Sequence, residues 1–140
     1  MLTTPPKQCG SFGFELKPSD LTAEEAAAIP GILADWAELN PIVITGDFYR
    51  LRLPDNSNWP AVQFVSKDGK KSFVLAFQQR ASIKPSVPPL RIQGLDAAAR
   101  YSSNVYNGTY SGKTLMNAGL NLLFPVGDYQ SQLVWLWKEE

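Results

Sequence analysis

The chain has 140 residues and a mass of 15.5 kDa, the size of one domain that buries about two-thirds of the surface its unfolded form exposes. With 44% hydrophobic and 19% charged residues it is too apolar for a disordered tail and too interrupted by charge and proline for a membrane span; thirteen basic side chains balance thirteen acidic ones, so no net field favours nucleic acid or an anionic lipid surface. The absence of histidine removes Ser-His-Asp and Cys-His nucleophiles and the common zinc sites, and the lone Cys9 excludes an internal disulfide or a cysteine metal cluster. Carboxylate chemistry remains, or none, and no cofactor or metal is expected.

Residues 1–7 carry no secretory or transit pattern, which leaves the compartment undetermined. The first element predicted is a helix. Thr22-Ala23-Glu24-Glu25 reads as a capping box, in which hydroxyl and carboxylate each satisfy a free backbone donor. Pro30 and Gly31 kink the helix, and an apolar stripe of Ile32, Leu33, Trp36 and Leu39 resumes before Pro41 stops it. The expected span is residues 22–39.

Beyond Pro41 the period changes from helical to alternating. Tyr49, Leu51 and Leu53 face one way and Phe48, Arg50 and Arg52 the other, the pattern of a half-buried strand. Residues 61–66 and 72–78 form two more strands around Asp68-Gly69, which supplies the positive φ of a hairpin turn. The proline-rich connector 84–89 separates them from an alternating stretch, 90–95, and Asn107-Gly108 offers a second turn. Residues 120–124 and 130–137 close the chain as strands. Seven or eight short strands at this spacing predict a mainly β fold, an antiparallel, Greek-key-like β-sandwich preceded by a kinked N-terminal helix.

Few residues invite chemistry. The run from Gly108 to Thr114 approaches a phosphate-binding loop, but that pattern needs glycine where Asn107 stands. Ser111 capping a short helical turn that Gly119 ends explains the run better. Trp59, Trp135 and Trp137 suggest a sugar-stacking platform. Around Trp135 and Trp137, however, Leu133 to Trp137 is apolar on both faces, which favours core or interface. Each of the seven aspartates and six glutamates fits a solvated surface position. Cys9, with no histidine to activate it, reads as a small apolar filler, and the triplet Asn107-Gly108-Thr109 matters only in a secreted protein.

Three segments in order carry a family resemblance: Gly10-Ser11-Phe12-Gly13-Phe14-Glu15-Leu16, Gly46-Asp47-Phe48-Tyr49-Arg50-Leu51 and Ser111-Gly112-Lys113-Thr114-Leu115-Met116-Asn117-Ala118-Gly119-Leu120. Between and after them, Trp59-Pro60-Ala61-Val62-Gln63, Leu90-Arg91-Ile92-Gln93-Gly94-Leu95-Asp96 and Gly127-Asp128-Tyr129-Gln130-Ser131 fit as well. Together they resemble the C-terminal end of family 36 glycoside hydrolases, the retaining α-galactosidases, over residues 9–140. The resemblance implies that residues 1–40 are the end of a (β/α)8 barrel and that residues 41–140 are the C-terminal antiparallel β domain. It places both catalytic aspartates of the family in segments that would precede Cys9, so no aspartate here inherits either role and the chain by itself is expected to be an inactive fragment. The implied partners are a galactoside oligosaccharide in the context of the full enzyme, and the barrel or another copy of the chain through residues 9–40; no nucleic acid and no membrane are expected. Two rival readings remain, a free-standing carbohydrate-binding module and an interaction domain of immunoglobulin-like shape.

Overall fold

The computed structural model describes residues 17–81 and 86–140. The expectations for Cys9, for the barrel piece at 10–16 and for the first part of the proline-rich connector lie outside these residues. A single 3-10 turn at Pro18–Asp20 leads into helix α1, Ala23–Thr45. Its capping box is formed in full: the Thr22 hydroxyl accepts from the Glu25 amide at 3.2 Å, and the Thr22 amide donates to the Glu25 carboxylate at 3.0 Å. The carboxylate titrates below its ordinary value because of these bonds, the one from the Thr22 backbone first.

Helix α1 does not stop at Pro41. It takes in both Pro30 and Pro41 and runs 23 residues, because Leu39 and Ile42 are buried against the sheet and tertiary packing outweighs the lost backbone bond. Its last turn is closed by the Thr45 hydroxyl donating to Pro41 O at 2.7 Å and by the Gly46 amide donating to Ile42 O. By length and composition α1 would also suit a membrane crossing, yet these last turns are part of the protein core.

The strands are β1 (Asp47–Arg52), β2 (Ala61–Val65), β3 (Lys71–Gln78), β4 (Arg100–Ser103), β5 (Tyr110–Ser111) and β6 (Gln130–Lys138), with a short helix α2 at Gly112–Asn117. They form one antiparallel sheet in the order β1-β2-β3-β6-β4-β5. The last strand in sequence therefore lies at the centre. The mainly β, antiparallel architecture behind an N-terminal helix is as expected. The strand count is lower than the alternation predicts, since residues 90–95 and 120–124 share only the bridge Leu90–Leu120. The alternation in β1 is also broken: a register shift between Arg50 and Arg52 ends the strand before Leu53, which is left 47% exposed.

Alternation along β2, β3 and β6 gives the sheet two apolar faces. On one face Val74, Ala76, Val134 and Leu136 pack under an irregular layer supplied by Leu90, Ile92, Leu95, Leu115, Leu120 and Leu122. On the other, Phe64, Phe73, Leu75 and Trp135 pack under Leu39 and Ile42 of α1. The irregular layer is tied down by a side chain in place of a ladder. Gln63, fully buried, donates to Gln93 O at 2.8 Å and to Ser72 Oγ at 2.9 Å, and accepts from the Gln93 amide at 2.9 Å. The glutamine thus occupies both backbone groups of Gln93, which is why this stretch is no strand.

Candidate functional site

The hairpin between β2 and β3 forms as the sequence predicts. Gly69 has φ +67 and its amide donates to Ser66 O at 2.8 Å, while Asp68 accepts from Ser66 Oγ at 2.6 Å and from the Lys70 amide at 3.0 Å. Those bonds, with the Ser66 hydroxyl foremost, hold the Asp68 carboxyl below its ordinary range. Asn107-Gly108 lies in the bend that joins β4 to β5, with Gly108 at φ +76.

The three tryptophans do not make one platform. Trp135 is buried and stacks on Trp137 with centroids 5.9 Å apart and planes 11° from parallel. The row continues inward through Phe73 at 5.4 Å and Phe64 at 5.1 Å, and ends at Phe48, 4.9 Å further on and half exposed, with the Arg50 guanidinium over its ring. This is the face under α1. Trp59 is elsewhere, half buried, its indole donating to Gln78 Oε1 at 3.3 Å. The aromatic row thus belongs to the packing of helix on sheet.

The phosphate-loop likeness dissolves into structure. The Gly112 amide donates to Ala99 O at 2.9 Å, the Lys113 amide to Ala97 O at 3.1 Å and the Thr114 amide to Ser111 Oγ at 3.1 Å, so none of them is free to cradle a phosphate. Glycine is required at 112 because a Cβ there would lie 2.0 Å from Asp96 O. Ser111 caps α2, as its sequence predicts.

Among the described residues no carboxylate is buried and no three Asp, Glu or Cys side chains gather as metal ligands. Asp96 pairs with Lys138 at 3.0 Å, Glu38 with Lys71 at 3.3 Å, and Asp47 with Lys67. The Lys138 partner, then the Ala98 amide, holds Asp96 below its ordinary value, and Asp96 in turn raises Lys138. These are surface pairs, suited to ordering loops rather than to proton transfer.

One concave feature escaped the sequence reading, a groove of about 530 Å3 between the β4–β5 hairpin and the 119–123 segment. Tyr106 and Tyr110 meet edge to face on one side, centroids 4.7 Å apart. The only sequence signal for it is two tyrosines flanking the turn residues Asn107-Gly108. The Tyr106 hydroxyl donates to Tyr101 O at 2.7 Å, and burial, with Tyr110 beside it, pushes its pKa up to about 12.

The family profile for the glycosyl hydrolase family 36 C-terminal domain matches residues 59–136, which span β2 to most of β6. The chain belongs to that family. Alpha-galactosidase 2 of Hypocrea jecorina is 51% identical over 130 residues, 93% of this chain and 17% of that protein. Alpha-galactosidase AgaA of Geobacillus stearothermophilus is 33% identical over 129 residues, 92% of this chain and again 17% of the relative. The chain therefore spans about one sixth of the length of the curated relatives it matches. Among solved structures, AgaB of the same bacterium superposes with a TM-score of 0.87 at 33% identity, and a variant of AgaA in complex with raffinose with 0.88 at 31%. Both cover 94% of this chain and 18% of their own, so most of α1 is shared along with the sheet.

Proposed function

We propose that this family 36 C-terminal domain serves as the structural end of a retaining α-galactosidase that hydrolyses terminal α-galactosides such as melibiose and raffinose, and that it carries none of the catalytic groups. The observation that carries this reading is the match of nearly the whole chain to one sixth of several α-galactosidases, combined with described carboxylates none of which is buried and three of which stand in separate surface ion pairs. Retaining hydrolysis needs two carboxyl groups about 5 Å apart in a cleft. No described pair of carboxylates sits in such a cleft.

The domain's contribution is to brace the barrel. Along α1, Leu33 and Ile44 are 45% and 72% exposed while Leu39 and Ile42 are buried in the sheet, so the helix joins the β core on one flank and offers the other to a neighbour. The purified chain assayed with an aryl α-galactoside is expected to give no turnover above buffer. Turnover that is abolished by changing a single aspartate would overturn the proposal.

A further inference from the structure

We propose that the groove beside Tyr106 and Tyr110 binds a neutral oligosaccharide. This goes beyond the structural role above and is independent of it, since binding here needs no barrel. Its volume of about 530 Å3 falls within the range of small-molecule clefts. Among the described residues no charged side chain lines it, in a chain where 19% of residues are charged, so a charged ligand would find no counter-charge from them.

The lining is amphipathic. Tyr110 is 46% exposed and presents its ring, with Leu115 at the groove floor and Leu123, 84% exposed, at its rim. Among the described residues the Tyr110 hydroxyl and the Asn121 carboxamide have no hydrogen-bond partner. A purely apolar occupant would strand both polar groups, whereas a pyranose offers C–H faces to the ring and hydroxyls to the amide. Tyr106, fixed by its bond to Tyr101 O and packed edge-on, holds the Tyr110 ring in place without spending its own hydroxyl on the ligand. Preformed aromatic walls of this kind lose little freedom on binding.

Saturation-transfer NMR on the 140-residue chain reads contact from the ligand side and works whether the chain is monomeric or assembled. Raffinose is the neutral probe and trigalacturonic acid the charged one of similar size. Saturable transfer to raffinose and none to trigalacturonic acid is expected, and Tyr110→Ala and Asn121→Ala should each weaken raffinose binding, the first by about tenfold. Melting curves confirm folding, and exposed Asn121 keeps the test valid should Tyr110→Ala unfold. Absence of transfer, equal transfer to both probes, or raffinose binding unchanged in Asn121→Ala would overturn the proposal.

Discussion

At Gly112 and Gly69 a single Cβ tests the local architecture in two different ways. Gly112→Ala drives a Cβ into Asp96 O, a backbone atom that moves only with its loop, and should cost about 2 kcal/mol in chemical denaturation. At Gly69 an added Cβ would meet nothing within 4 Å, so the strain of a Gly69→Val substitution comes from φ +67. The expected loss is about 1 kcal/mol or more, read as a lower melting midpoint, with an unchanged midpoint refuting the turn. Titrating groups set the edges of the stability range. Asp68 and Asp96 are held below their ordinary value of 3.8, so their support is present above it and fades as pH falls through their folded values. Asp96→Asn should flatten part of this acid limb. On the alkaline side, Tyr106, pushed from 10.0 up to about 12, keeps its proton when folded, so stability falls as pH rises above about 10. Lys138, also raised, adds to this limb; Tyr106→Phe should make it shallower in melts between pH ~9 and ~11, and an identical slope would show that the phenol is not linked to folding.

Among the elements, the irregular 90–95 stretch is held by the Leu90–Leu120 bridge, by the Ile92 amide on Leu115 O and, at Gln93, by one side chain. Gln63→Ala removes the partner of both backbone groups of Gln93 and one of the two bonds of the buried Ser72 hydroxyl, which keeps its bond to Phe64 O, at a cost of about 1–2 kcal/mol. Hydrogen exchange should then accelerate at Gln93 before it does in β3 or β6. The same exchange pattern in both proteins would show that the stretch is held by Leu90, Ile92 and Leu95 alone. Helix α1 depends on its last turns: Leu39 is fully buried with Phe73 and Leu75, so tertiary packing carries the helix past a proline that its own propensity would obey.

For the whole molecule, the exposed flank of α1 has consequences for the chain on its own. Leu33 and Ile44 are exposed, and Ile29 and Trp36 lie half buried along the same helix. The 140-residue chain is expected to self-associate through residues 9–40, and light scattering should show the mass fall toward that of a monomer in Trp36→Asp. A clean monomer at matched concentration, unaltered by that substitution, would remove the argument. A chain begun at Pro41 would not be a simple remedy, since it lacks Leu39 and opens the aromatic face over Phe64, Phe73 and Trp135. It is expected to melt lower than the full chain.

Local chemistry determined much of this protein by sequence alone. The Thr22–Glu25 cap, the Asp68-Gly69 hairpin, the Ser111 cap and the alternation of β2, β3 and β6 each rest on residues within a few positions of one another, and the ordered family segments placed the chain in the C-terminal domain of glycosyl hydrolase family 36. Composition likewise pointed to solvated carboxylates. Other features depend on residues far apart in the chain, and only the tertiary structure decided them. Helix α1 passes Pro41 because a sheet built from residues up to 138 buries its end; 90–95 is no strand because Gln63, thirty residues away, occupies Gln93. The place of β6 between β3 and β4 and the groove beside Tyr110 arise when the last strand inserts into the sheet and the 119–123 segment folds beside the β4–β5 hairpin. Periodicity reports which face of an element is apolar, but it carries no record of what will cover that face.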